Sequence, residues 1–195
     1  MNAKKAVIVD PKSSNAHYIL ALVYQRLGEM GSADASYRKA ISLDPRNPGA
    51  VNAYGLFKCG QKEFDAADDY FRRALNNPLY GTPWIASHNA GNCASQAGDL
   101  ERAERDYRTA LQSNPRFAPS LLSMASVSYQ TGQYLSARAY LQRYAEVAPH
   151  TAESLWLGVQ TENQLGDRDQ QASYGLKLRN NFPDSDQAKF LQTIE

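Results

Sequence analysis

Long apolar runs are missing from this chain of 195 residues. No stretch approaches the roughly 20 residues that a membrane-spanning helix needs. Met1-Asn2-Ala3-Lys4-Lys5 leads only into Ala6-Val7-Ile8-Val9 before Asp10-Pro11 interrupts it. A surplus of charge is missing as well: 21 lysines and arginines against 20 aspartates and glutamates leave +1. Without a basic cluster, the footprint of a nucleic-acid or acidic-membrane binder is excluded. The three histidines, His17, His88 and His150, show no HxxxH or HExxH spacing, and the two cysteines form no CxxC, so a metal site has no support. Phosphate cradles and nucleophile elbows are excluded in the same way, because no GxxxxGKS/T, GxGxxG or GxSxG segment occurs. Glu101, Glu104 and Asp106 fall on the outer face of one helix and read as solvated charges. What remains is a soluble chain that reads as no enzyme and calls for no cofactor.

What the sequence does contain is a repeat. Trp84 to Pro115 is its clearest copy: one amphipathic segment from Trp84 to about Ala97, a break at Gly98, and a second segment from Leu100 to Ser113. In the second segment Leu100, Ala103, Tyr107, Ala110 and Leu111 keep the three-and-four spacing of one helical face. Asn114-Pro115 ends it, since proline cannot continue a helix. The same closing proline recurs at Pro11, Pro45, Pro78, Pro115, Pro149 and Pro183, in steps of 34, 33, 37, 34 and 34. Glycines mark the mid-repeat turn at Gly28, Gly98, Gly132 and Gly166, and in the second copy the turn is expected to slip to Gly60-Gln61. Alanines follow at Ala33, Ala103 and Ala137, with Tyr37, Tyr107 and Leu141 four residues later. Such a period signals a repeat architecture.

A 34-residue unit of two helices, with a small residue inside the first, Ala-aromatic-Ala in the second and proline at the end, resembles the tetratricopeptide repeat (TPR). The expected fold is all-α, a right-handed superhelix of antiparallel helix pairs forming one solenoid. Its repeats span 14–47, 48–83, 84–117, 118–151 and 152–185. Residues 1–13 read as the end of a truncated repeat, because Ala3, Ala6 and Pro11 fit only a second helix, and 186–195 as a capping helix. A lone hairpin of this size cannot bury both apolar stripes, so neighbours must stack. Pro48, Pro83 and Pro119 suit the first turn of first helices, where the missing N–H costs nothing. The 37-residue step places a longer loop at 76–83.

First helices line the inner wall of such arrays. By position the exposed candidates are Tyr18, Leu22 and Gln25; Asn52 and Leu56; His88, Asn92 and Gln96; Leu122, Ser126 and Tyr129; Trp156, Gln160 and Asn163. TPR modules that grip acidic chaperone tails use a clamp of Lys, Asn and Arg, whereas the corresponding positions here hold Tyr18, Leu22, Ile85 and Asn89, which disfavours that subclass. A wall of aromatic, amide and aliphatic groups suits an extended or helical peptide with apolar anchors. The partner-binding groove is therefore expected to involve Tyr18, Leu22, Asn52, Leu56, His88, Asn92, Leu122, Tyr129 and Trp156, centred on Tyr18, Leu22, Asn52 and Leu56; packing between helices is the competing reading for each. Cys59 and Cys93 lie one period apart, 34 residues, near one level of adjacent first helices. Two small buried thiols and a disulfide are both compatible with that spacing.

Two stretches exceed the generic repeat. Val51-Asn-Ala-Tyr-Gly-Leu-Phe-Lys-Cys-Gly60 with Asn89-Ala-Gly-Asn-Cys-Ala94, and Leu155-Trp-Leu-Gly158 with Gly166-Asp-Arg-Asp169, Ala172-Ser-Tyr-Gly-Leu176 and Phe182-Pro-Asp-Ser185, are similar to segments of the type IV pilus biogenesis TPR lipoproteins, the PilF/PilW pilotin family. Ala53 and Lys58 depart from that pattern, so the amide-lined part of the groove is expected to differ. The resemblance implies a lipoprotein on the periplasmic face of the outer membrane, with a signal peptide and lipid-bearing cysteine upstream of Met1. It implies a non-enzymatic adaptor that helps the pilus secretin assemble or localise, or stabilises the pilus. The secretin and other pilus assembly proteins would be its partners, with no nucleic acid, and the membrane would be reached only through the N-terminal lipid. An oxidising periplasm suits a Cys59–Cys93 bridge. A general TPR scaffold in another assembly, with both cysteines reduced, and an enzyme using the groove as its active site are the alternatives.

Overall fold

The computed structural model describes the backbone of residues 7–194 and the side chains up to residue 191. Ala3 and Ala6, assigned to a truncated repeat, lie outside the described residues; residues 7–9 are helical. All regular structure among the described residues is helical, and the chain divides between Asp99 and Leu100 into two compact units.

The N-terminal unit holds α1 (Ser14–Arg26), α2 (Met30–Leu43), α3 (Pro48–Gly60), α4 (Phe64–Leu75) and α5 (Pro83–Gln96). Pairs α1/α2 and α3/α4 are hairpins; α1, α3 and α5 adjoin in succession, with α2 against α3 and α4 against α5. The C-terminal unit holds α6 (Leu100–Ser113), α7 (Ala118–Gln130), α8 (Tyr134–Ala145), α9 (Ala152–Leu165), α10 (Arg168–Asn181) and α11 (Asp186–Ile194). There α7/α8 and α9/α10 are the hairpins, α6 packs on α7, α8 and α7 on α9, and α11 on both α9 and α10.

Polar side chains start several of these helices by satisfying first-turn N–H groups that have no helical partner. Ser13 Oγ accepts from Ala16 at 3.2 Å and Asn47 Oδ1 from Ala50 at 3.1 Å, while Thr151 and Ser154 form a reciprocal capping box. The proline ladder also has a structural use. Arg73 Nη2 donates to the Pro45 carbonyl at 3.2 Å and Arg143 Nη2 to the Pro115 carbonyl at 3.3 Å, so a second helix ties itself to the loop closing the preceding repeat.

The mid-repeat turns correct one expectation. Gly28, Gly98, Gly132 and Gly166 have φ of 76, 84, 75 and 73°. The second copy does not slip to Gly60-Gln61: Gly60 is the last residue of α3, and Lys62 takes the left-handed position with φ 63°. The turn hydrogen bonds show the same register, with Glu63 N donating to Lys58 O as Glu29 N does to Tyr24 O. Sequence alone pointed to the nearest glycine, but the hairpin needs the conformation at this place whichever residue supplies it.

Inside the hairpins a small residue faces an aromatic one. A Cβ added to Gly55 would stand 2.8 Å from the Phe71 ring, and one added to Gly158 would stand 2.6 Å from the Tyr174 ring. Any larger residue there would have to displace the facing ring. In the N-terminal unit Tyr37, Tyr54 and Phe57 pack with ring centroids 5.3–5.9 Å apart over Ala21, Ala33 and Ala40. Around Leu155 and Leu178 in the C-terminal unit, Ala188 and Leu191 of α11 complete the core.

Candidate functional site

The first helices α1, α3 and α5 carry the N-terminal unit's candidate residues. Tyr18 is half-buried against the core containing Ala21 and Tyr37, and burial raises its hydroxyl pKa. Leu22 and Leu56 remain open, at 40% and 41% of their surface. Asn52 was expected to be exposed and is not: only 8% of it is accessible, because Asn89 of α5, itself 9% accessible, lies beside it and donates from Nδ2 to Asn52 Oδ1 at 3.1 Å. His88 and Asn92, one turn apart on α5, form a second polar pair, Nδ2 to Nε2, at 3.1 Å. Burial pushes His88 down to about 4, so the ring is neutral at pH 7 and its Nε2 accepts from Asn92. The tautomer with the proton on Nδ1 follows from that assignment. Gln25 is engaged from behind, its Oε1 accepting from the Tyr37 hydroxyl at 2.7 Å. A disulfide joins Cys59 of α3 to Cys93 of α5 across a Cα–Cα distance of 5.7 Å.

The C-terminal unit's candidates are less open than their positions suggested. Leu122 and Tyr129 are half-buried against Ala125, Leu141 and Leu157, and the Tyr129 ring meets that of Tyr134 at 5.6 Å. Trp156 packs against the Leu155 core, and Phe190 of α11 meets it edge-on at 5.4 Å. Part of its apolar surface is thus taken up by α11.

Among the described residues, no three or more His, Cys, Asp or Glu gather into a metal-binding group, and no helix is long and apolar enough to cross a membrane. Tetratricopeptide-repeat family models match residues 14–47 and 94–159. The type IV pilus assembly protein PilF of Pseudomonas aeruginosa is 34% identical over 182 residues, covering 93% of this chain and 72% of PilF. The chain belongs to the PilF family. Two solved structures agree. The crystal structure of PilW, a widely conserved type IV pilus biogenesis factor, matches with a TM-score of 0.88 and 31% identity over 97% of this chain and 87% of PilW. The structure of Pseudomonas aeruginosa PilF matches with a TM-score of 0.86 and 33% identity, over 99% and 87%.

This PilF-family chain also holds two charge clusters, each built around one buried charge, that its sequence did not announce. Lys58, 8% accessible, reaches Asp34 and Glu63, each at 3.1 Å, with its ammonium over the Tyr54 and Phe57 rings. Tyr54 donates its hydroxyl hydrogen to Asp34 at 2.8 Å and accepts from Arg38 Nε. Burial of Asp34 works against ionisation, but the Tyr54 and Lys58 hydrogen bonds and the Lys58 and Arg38 charges outweigh it, and its pKa falls. In the C-terminal unit Glu162, 2% accessible, is held by Arg138, whose Nε donates to both carboxylate oxygens at 3.0 and 3.1 Å and whose Nη2 bonds Oε2 and Asp167. These groups are satisfied by one another, so they are structural ion clusters rather than reactive ones. The only sequence signal for the first was Lys58, the one charged residue on α3; α9 carries Glu153 as well as Glu162 and gave none.

Proposed function

We propose that this chain is a non-enzymatic adaptor in type IV pilus biogenesis that assists assembly or localisation of the outer-membrane secretin, or the stability of the pilus, by docking partner segments on the first-helix wall of its N-terminal unit. The family relation supports the process: the relatives are a type IV pilus assembly protein and a type IV pilus biogenesis factor. The observation that carries the docking face is the pair Leu22 and Leu56, open apolar side chains on a wall whose other members, Tyr18, Asn52, His88 and Asn92, are uncharged at pH 7. Apolar anchors beside amides suit peptide recognition. The proposed location is the periplasmic face of the outer membrane through an N-terminal lipid; the Cys59–Cys93 bridge supports an oxidising compartment.

The test replaces Leu22 and Leu56 by Glu in the full-length gene and measures assembled secretin in outer-membrane fractions. Assembly is expected to fail while the purified variant keeps its helical circular dichroism. Normal assembly would refute the docking face. Labelling the cells with a radioactive fatty acid and fractionating them tests the anchor, and an unlabelled, non-membrane protein would overturn the location.

A further inference from the structure

The Asn52–Asn89 pair is an unusual use of a wall between two helices. A buried amide normally has all its polar atoms paired. Here one hydrogen bond uses Oδ1 of Asn52 and one hydrogen of Asn89 Nδ2. Among the described residues Asn52 Nδ2 and Asn89 Oδ1 have no protein partner, and neither is sealed from solvent. If both amides were flipped, the pair would still keep one free donor side and one free acceptor side. Two side chains nine-tenths buried therefore present an adjacent donor and acceptor through the small part of their surface left open.

The two asparagines are held in place. Asn52 shares α3 with Cys59 and Asn89 shares α5 with Cys93, so the disulfide fixes the same two helices that carry the pair. Leu56, one turn beyond Asn52, supplies an open apolar neighbour.

We propose that the Asn52–Asn89 pair is a recognition site for the backbone of one residue in an extended, uncharged partner segment: that residue's carbonyl accepts from Asn52 Nδ2, its own N–H, which points to the same side in an extended chain, donates to Asn89 Oδ1, and an adjacent apolar side chain rests on Leu56. The chemistry selects this occupant over a carboxylate terminus. A carboxylate offers acceptors only and would set a negative oxygen against Asn89 Oδ1. A peptide backbone carries both functions, and in an extended chain alternate side chains point to the same face, which suits a row of apolar contacts. Holding both amides rigid beforehand lowers the ordering cost of binding.

The proposal rests on reading this wall as a docking face, but not on the secretin being the partner, and its test is chosen accordingly. A phage-displayed library of random linear dodecapeptides is selected on the complete purified chain, and the enriched peptide is synthesised with blocked ends. Each backbone nitrogen is then methylated in turn. Methylation at one position is expected to weaken binding about tenfold or more, as loss of a buried hydrogen bond would. Asn89→Ala should weaken the parent peptide similarly and abolish the penalty of that one methylation. Asn52→Asp, which keeps an acceptor for Asn89 and replaces the outward donor by a carboxylate oxygen that repels a peptide carbonyl, should also weaken the parent peptide; circular dichroism checks that it and the alanine variant remain folded. A free C-terminal carboxylate should not improve binding. Failure to enrich any peptide, indifference to every methylation, or the same methylation profile in Asn89→Ala would each overturn the proposal while leaving a role in secretin assembly intact.

Discussion

Opening the Cys59–Cys93 bridge should weaken the N-terminal unit by an amount that its loop length sets. The bridge joins residues separated by 34 positions. On the chain-entropy model, closing a loop of that size removes about 12–13 cal/mol/K from the denatured ensemble, or about 3.8 kcal/mol at 25 °C. With a urea m-value of about 2 kcal/mol/M, typical of a unit of this size, the midpoint should fall by about 2 M. The chain offers a separate probe for each unit, because its two tryptophans are Trp84 on α5 and Trp156 on α9. Urea titrations of Trp156→Phe and Trp84→Phe, each with and without reductant, report the units in turn. The Trp84 transition should move by the full amount and the Trp156 transition by much less, since the closed loop lies wholly in the N-terminal unit and repeats feel chiefly their neighbours. Replacing both cysteines by alanine should reproduce the shift without reductant. Coincident oxidised and reduced Trp84 transitions would refute the reasoning, as would two alkylatable thiols found by mass in the denatured, unreduced protein.

Lys62→Gly should raise stability by about 0.5–1 kcal/mol, read as a higher urea midpoint, because Lys62 is the one described non-glycine residue at positive φ and pays the left-handed cost that glycine avoids. Gly158→Ala should cost about 1–3 kcal/mol by overpacking against the Tyr174 ring, 2.6 Å from the new Cβ, although helix propensity alone favours alanine by about 1 kcal/mol. A stabilised variant would mean the ring simply moves. His88 couples stability to pH. The unfolded chain protonates near 6.5 and the folded chain only near 4, so stability is complete above pH 6.5 and falls as the pH drops between those values. Discounted for partial exposure, the loss is about 2 kcal/mol, and His88→Gln should flatten that part of the profile in thermal melts from pH 7.5 to 4.

The repeat was legible because its signals are local. Proline ends a helix and glycine turns one wherever they stand, so Pro45, Pro115, Gly98 and Gly132 mark the same places in the sequence and in the fold. Lys62 escaped because any residue can be forced into the left-handed region when flanking helices demand it. The wall's exposure was not legible in the same way. Asn52 holds its expected place on α3, but Asn89, 37 residues later, lies over it, and Trp156 meets both the Leu155 core and Phe190 of α11. Lys58 and Glu162 were missed for a related reason. A charge on a first helix reads as solvent-facing until its partner on the preceding second helix, Asp34 or Arg138, is brought to it.

Those two ion clusters share one construction with its first two charges exchanged. Asp34, Lys58 and Glu63 stand 104 residues before Arg138, Glu162 and Asp167, in that order. In each, the first residue follows a fully buried alanine, Ala33 or Ala137, on a second helix. The second residue's carbonyl accepts the N–H of the third across the next hairpin turn, Glu63 to Lys58 and Asp167 to Glu162. A single cation bridges two carboxylates both times, Lys58 from a first helix and Arg138 from a second. Neither cluster needs to add much net stability, since a buried pair gains little over apolar packing. Its stronger effect is on pairing. A stack that set the Lys58 helix against the Arg138 helix would bury two cations together, and one that set Glu162 against Asp34 would bury two carboxylates. On this argument charge opposes both mispairings, and replacing Lys58 and Glu162 together by leucine is expected to leave a helical chain that refolds from urea with a larger misassembled fraction on size-exclusion chromatography, an unchanged fraction refuting the role.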